Sequence, residues 1–479
     1  MFRRSRDAGQ GVSFQVVNRV LGEIAILIAV AAGCEQPAPA VMTALPVAVP
    51  PSTGLAFAPA PVAAASAPAQ VVVGYDRVPE ETPAEAVRTH REAKRLLDSG
   101  DAAGARPGIE EALRLSPGFD AARITLARAL ARTGDVEGAA SGMYALLERD
   151  LLRFRGDVER DLALAPLREG SRGTSHRERV SAIETAWTSA VAAGVPVVLW
   201  RPDRDEASAG AGRVRPGMYV AGTRRFVALA PPIAHAAGAL VDAQKRKTVV
   251  VRAAPVVSEA SPLTDVQLLV FAMTPSDEPI ARVSVPVAWR IEVEATAEGA
   301  RYRVTDEDSG RQPWRNLVPG GGRPGASQSD PAGASLFFDR SGSRPRAEVP
   351  GMRVARNDLV TPAGPVPLGG GHAAGDDHAV HLSPDGSTAV AVSWSADCAN
   401  AAAEGGILRH VVDRVNLATR AVDRLSAGRG GAAAVFGPDG ALYLQIASEL
   451  RRYPTPGAVA HEPVMEGILL AALPTDVCN

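Results

Sequence analysis

The chain has 479 residues, enough for two or three domains, with 46% apolar and 22% charged side chains, the balance of a soluble globular protein. Its 51 basic residues are scattered and outnumbered by 53 acidic ones, which argues against nucleic acid or acidic lipid as a partner. Only three are lysines (Lys94, Lys245, Lys247), and with 46 Gly and 38 Pro this marks a GC-rich coding sequence, not an anion-binding surface.

At the amino terminus Arg3, Arg4, Arg6 and Arg19 precede an apolar run of nine residues, 24–32, followed by Gly33 and Cys34. Nine residues span about 14 Å as a helix, too short for a bilayer core of ~30 Å. A basic start, a short apolar core and small residues at the cut describe a secretory signal. The run Ala31-Ala32-Gly33-Cys34 resembles the lipobox of bacterial lipoproteins, with Ala31 where that family prefers Leu. The resemblance implies cleavage before Cys34, lipid on its sulfur, and a cell-envelope location. Glu35 after the cysteine leans the location to the outer membrane, facing the periplasm or the cell surface. Removing residues 1–33, with four Arg and two acids, takes the net charge from −2 to about −4.

Residues 34–82 comprise the lipidated cysteine and a Pro/Ala-rich tether without apolar period, a composition that stays disordered. At ~3.1 Å per residue it reaches roughly 150 Å.

Thr82-Pro83-Ala84-Glu85 has the spacing of a capping box and opens a helical region, 83–194. Gly100-Asp101 recurs as Gly134-Asp135, Ala93 as Ala127, Ala105 as Ala139, Leu96 as Leu130 and Leu113 as Leu147, each pair 34 residues apart. That period, with small residues where helices approach and leucines expected between them, resembles the tetratricopeptide repeat. The resemblance implies paired antiparallel helices and a concave groove for extended peptides. Pro107-Gly108 is expected to kink or shorten the second helix. Ser175-His176-Arg177-Glu178 has capping-box spacing too, and opens a helix with Val180, Ile183, Trp187 and Val191 on one face and Gly194 at its end.

From residue 195 the period becomes that of strands. β-Branched runs at 197–200, 218–220, 226–229, 248–252, 266–271 and 283–293 alternate with Gly, Pro, Asp and Ser turns. Ser383-Pro384-Asp385-Gly386 joins two such runs, and Gly437-Pro438-Asp439-Gly440 repeats the arrangement 54 residues later. Asp-Gly is expected to take the left-handed turn positions. With the strand pair 411–425 turning at Ala418-Thr419-Arg420, this resembles the WD40-like blades of the periplasmic Tol-system propeller. The fold class expected is α+β multidomain: a small all-α helical-repeat domain, then an all-β domain at 195–479. A propeller of six or seven blades is favoured there and a β-sandwich is the alternative.

Chemistry is sparse. Cys-x-x-Cys, His-Glu-x-x-His, Walker and Gly-x-Ser-x-Gly patterns are missing from the sequence. The glycine run 320–325 matches a dinucleotide fingerprint letter by letter, but its internal Pro324 makes it a loop. Cys398 and Cys478 form a possible disulfide across the β domain, which would stabilise by roughly 4–5 kcal/mol on the loop-entropy account. His372, Asp376, Asp377, His378 and His381 crowd ten residues and are weak candidates for a metal site, although residues 378 and 381 of a strand face opposite ways. The expected function is a lipid-anchored envelope scaffold that binds other envelope proteins or peptides, with no catalytic residues, cofactor or nucleic acid. The alternative is a ligand- or metal-binding propeller or hydrolase using the cluster at 372–381.

Overall fold

A computed structural model describes residues 71–78, 81–200, 214–253, 265–286, 290–306, 310–319, 321–324, 335–339, 342–346, 349–372, 377–397 and 407–470. Cys34, the tether through residue 70, Asp376 and both cysteines of the possible disulfide lie outside the described residues.

Six α-helices come first: α1 (Ala84–Asp98), α2 (Ala102–Leu115), α3 (Asp120–Arg132), α4 (Val136–Arg149), α5 (Leu151–Arg160) and, after a 3₁₀ turn at Leu162–Arg168, α6 (Gly170–Ala193). The 34-residue repeat is visible in the caps. Gly100 and Gly134 take positive φ at the ends of α1 and α3. Asp101 and Asp135 then accept the amides of Gly104 and Gly138, 2.7 and 2.9 Å away, to start α2 and α4. Ala93, Ala105, Ala127 and Ala139 are buried where the helices cross.

Four local expectations are corrected. Pro83 is extended and occupies the N-cap position itself, which leaves Thr82 one residue too far out to cap. Ser175 lies inside α6, which begins at Gly170 directly after the 3₁₀ turn, five residues before the expected start. Leu96 is 43% exposed, and its neighbour Leu97 fills the interior instead. Helix α2 continues through Pro107. A side chain at Gly108 would place its Cβ 2.9 Å from the Ala93 Cβ, so the glycine serves the close approach of α1 and α2.

The β region is a succession of antiparallel sheets. The first sheet holds β1 (Val195–Trp200), β2 (Val214–Val220) and β3 (Arg225–Ala228). The second holds β4 (Ala236–Asp242), β5 (Lys247–Ala253), β6 (Asp265–Ala272) and β7 (Ala281–Pro286). The third has seven strands: β8 (Arg290–Ala295), β9 (Ala300–Asp306), β10 (Gly310–Arg311), β11 (Arg315–Val318), β12 (Gly321–Pro324), β13 (Ser335–Asp339) and β14 (Gly342–Arg346). The glycine run is therefore partly strand, since β12 pairs with β11. The fourth sheet is β15 (Arg353–Ala355), β16 (Asp358–Thr361) and β17 (Gly364–Pro367). The fifth is β18 (Asp377–Leu382), β19 (Thr388–Asp397), β20 (Ile407–Asn416) and β21 (Val422–Arg429). The sixth is β22 (Ala432–Phe436), β23 (Leu442–Ile446), β24 (Glu449–Tyr453) and β25 (Glu462–Pro463).

The final strand, β26 (Ile468–Leu469), returns to the first sheet and pairs with β1. Six successive sheets among the described residues, closed by the last strand on the first, give a propeller topology and not a two-sheet sandwich. Apolar layers stack between neighbours. Val380, Ala389 and Ala391 of the fifth sheet meet Leu359 and Val366 of the fourth, and its Val390, Val392 and Val412 meet Leu442 and Leu444 of the sixth.

The two Pro-Asp-Gly turns sit where expected, between β18 and β19 and between β22 and β23. Only Gly386 and Gly440 are left-handed, at φ 70 and 78. Asp385 instead accepts from the Ser387 amide and Asp439 from the Ala441 amide, so the aspartates brace the turns with their carboxylates.

Helices and ring share a core. Leu147, Leu151, Ile183 and Trp187 cluster with Met218 and Val220 of β2, Val227 of β3 and Leu229 just after it. The Trp187 indole donates to the Ala228 carbonyl at 3.2 Å. Residues 71–78, expected to belong to the tether, are seated in this junction, with Val73 and Tyr75 buried. Their Val-Val-Val-Gly-Tyr sequence is more apolar than the Pro/Ala stretch before it, and that is what allows them to dock.

Candidate functional site

Two places gather polar side chains. The first is a groove of about 480 Å³ along the repeat helices. It is lined by the first helix of each pair, α1, α3 and α5, and by Asp277 in the turn after β6. Helical spacing puts Thr125, Arg128 and Arg132 on one stripe of α3, and Arg153, Asp157 and Arg160 on one stripe of α5. Opposite charges interlock across it. Arg128 pairs with Asp161, and lies 3.6 Å from Asp157. Lys94 holds Asp98 at 2.6 Å, and Arg160 lies 3.7 Å from Asp277. Arg132 donates to the Leu97 carbonyl at 2.6 Å. Burial pushes the Asp157 carboxyl up, and Asp161 beside it adds to the rise while Arg128 opposes it. At the wall His90 donates to Thr125 at 2.9 Å, because the Thr125 hydroxyl is committed to the Ala121 carbonyl. Burial, then Lys94, holds His90 below the usual imidazole range.

The sequence pointed to the groove as a class but not to its residues. A signal was present: Lys94 and Arg128 are also 34 apart, two cations at one repeat position.

The second place involves the histidine cluster. His372 and His378 converge, but on Ser393 and not on an open vertex. His378 Nδ1 lies 2.8 Å from the Ser393 hydroxyl, which also bonds His372 Nδ1. His372 Nε2 lies 2.9 Å from Asp413, which in turn accepts from Arg424 and from the Gly369 amide. One proton arrangement satisfies every partner. The ionised Asp413 takes the Nε2–H of His372, the Ser393 O–H donates to His372 Nδ1, and His378 Nδ1–H donates to Ser393. Burial alone would raise the Asp413 carboxyl; the bonds from His372 and Arg424 bring it below the usual carboxylate range.

Hydroxyl, imidazole and carboxylate stand in the order used by serine hydrolases. Ser393, however, is mid-strand and 1% exposed, with His372 at 2% and Asp413 at 0%. A nucleophile there meets no substrate, and the network ties the connection after β17 to the face of the fifth sheet. His381 sits across from Val390, on the opposite face from His378, and desolvation holds it neutral with a pKa of about 4. The Asp377 side chain lies outside the description. Both His372 nitrogens are taken, and among the described residues no group of three or more His, Cys, Asp or Glu is arranged to hold a metal ion. Ser393 and Asp413 were missed in the sequence. Their signal is a polar residue inside an otherwise apolar run, as in Val390-Ala391-Val392-Ser393-Trp394.

The tetratricopeptide repeat family matches residues 96–151, which covers α2 to α4 and part of the groove wall. A search of curated proteins returns no match. Among solved structures the chain is similar to TolB from Acinetobacter baumannii, at 13% identity and TM-score 0.20, over 65% of this chain and 61% of that one. It is similar to the tricorn protease at 11% identity and TM-score 0.22, over 53% and 24%. Oligogalacturonate lyase from Vibrio parahaemolyticus aligns at 14% identity and TM-score 0.17, over 53% and 60%. The chain thus spans about three-fifths of the TolB and lyase chains, and the propeller assignment rests on its strand pairing. Its helical part carries a tetratricopeptide repeat, and that part is followed by a closed succession of β-sheets.

Proposed function

We propose that this chain is a protein-binding scaffold of the cell envelope, held to a membrane by lipid on Cys34, with the groove of its helical repeats as the binding surface. The observation that carries it is the groove itself, open along α1, α3 and α5 and set with paired charges of both signs. Side chains that neutralise one another can exchange those partners for the charges and backbone of an extended peptide at little electrostatic cost. On this reading the chain binds without catalysing a reaction and needs no cofactor. The Pro/Ala-rich stretch after Cys34 holds the binding unit away from the lipid surface.

A photo-crosslinking amino acid placed at Lys94, in the groove, is expected to trap an envelope protein in living cells. The same residue at Arg106, on the outer helix, is expected to trap none. Equal trapping from both positions sinks the groove as the binding surface. Asp157→Lys in the groove should then weaken the trapped complex by about tenfold, or about 1.4 kcal/mol. For the anchor, a palmitate analogue should label the wild type and spare Cys34→Ser; equal labelling of both contradicts it. Fractionation with protease shaving of intact cells then assigns the membrane and its face.

A further inference from the structure

Residues 71–78 are held from both sides, by the repeat helices and by the first sheet. Gly74 donates its amide to the Glu148 carbonyl at the end of α4, 2.8 Å away. Tyr75 exchanges both backbone hydrogen bonds with Phe226 of β3, at 2.8 and 2.9 Å. Arg225 donates to the Gly74 carbonyl at 2.7 Å. The Tyr75 hydroxyl ends on Asp150, at 2.5 Å, with the Arg149 guanidinium 5.2 Å from the ring centre. Farther along, Val78 packs on Gly467, immediately before the closing strand β26.

The trench is specific. Gly74 has φ 98, and a Cβ there would lie 2.7 Å from the Phe226 carbonyl oxygen, so only glycine fits. The phenol has one acceptor, Asp150, in a buried setting that disfavours any residue unable to donate. The far wall of the trench is a charged pair that also reaches the phenol, since Arg215 donates to the Tyr75 hydroxyl at 3.3 Å. Arg215 grips Asp150 with two bonds, 2.5 and 2.8 Å, and donates to the Ala230 carbonyl at 3.2 Å. The segment, by contrast, is buried only at 73–75, while Val72, Asp76 and Arg77 are exposed. It lies along the free edge of β3 and can lift away without unthreading any strand.

We propose that residues 71–78 are an exchangeable latch: an extended Gly-Tyr segment seated in a peptide-binding trench between the α4–α5 junction and β3, whose withdrawal loosens the repeat helices from the first sheet. The latch is the last part of the amino-terminal segment before the helices. Its seating therefore links whatever acts on that segment to the mounting of the groove on the ring.

The test is hydrogen exchange read by mass spectrometry on the full chain, comparing wild type with Tyr75→Ala. Exchange should rise about tenfold at the α4–α5 junction and along β2 and β3, and stay unchanged in the fifth and sixth sheets. A synthetic peptide of residues 70–78 added in excess should restore protection to the variant, and the same peptide with Ala for Tyr should not. Unchanged exchange at the junction, a rise across all six sheets, or no restoration by the wild-type peptide each overturns the proposal.

Discussion

Two buried polar clusters fix this molecule, and they differ in what carries the charge. At the junction of helices and ring, Asp150 is held by the guanidinium of Arg215, a buried ion pair. Inside the ring, the link between the fourth and fifth sheets runs through imidazoles, with His372 and His378 on Ser393 and Asp413 behind them. The first cluster rests on a carboxylate–guanidinium pair between a helix cap and a strand, the second on imidazole and hydroxyl hydrogen bonds within the ring.

The largest effect is expected at the junction. Asp150→Ala strands a buried guanidinium, opens the Tyr75 contact and removes the cap of α5, and should destabilise the chain by about 3–5 kcal/mol in denaturant titration. A loss below about 1 kcal/mol would mean that Arg215 finds water on its own.

Acid comes next. His381 has a folded-state pKa of about 4 against an ordinary 6.5, so the unfolded chain takes up its proton first. Stability is then full above pH 6.5 and falls as pH drops from 6.5 towards about 4. The lowered Asp413 carboxyl works in the same sense: its contribution is present above the ordinary carboxylate range and is lost as pH falls through the depressed value. His381→Leu should flatten the upper part of that slope, and an unchanged profile would contradict the assignment.

Ser393→Ala removes the hub of the ring cluster and should cost about 1–2 kcal/mol, with no effect on exchange at the α4–α5 junction. Loss at the junction as well would show that the two clusters are coupled.

The smallest effects separate the two repeats. Gly108→Ala forces a Cβ to 2.9 Å from Ala93 and should destabilise by about 1 kcal/mol. Gly142→Ala, at the equivalent position, meets Ala127 at an ordinary 4.0 Å and should stabilise by about as much through helix propensity. Equal signs from the two substitutions would refute this account of the packing.

What was legible in the sequence follows from range. Helix caps, the 34-residue period and the Pro-Asp-Gly turns are local, and each could be placed within a few residues. Leu96 and Leu97 show where local pattern ends, since the repeat marks one leucine and tertiary packing chooses its neighbour. Of the site, His372 and His378 stood out as a cluster. Their partners Ser393 and Asp413 are brought in by strand pairing across 21 and 41 residues, which no spacing rule reports. Tyr75 was hidden differently: it closes on Asp150 from 75 residues away, out of a stretch whose composition resembles a linker.

The central claim is that repeat helices and ring are one body, joined by the core that Trp187, Leu147 and Val227 share. Scanning calorimetry of the full chain, with the fluorescence lost in Trp187→Phe used to assign the Trp187 signal in parallel, tests it most directly. A single transition in which helix loss and the fluorescence change coincide is the predicted result. Two separated transitions, with the helices melting first and the ring intact, would contradict it.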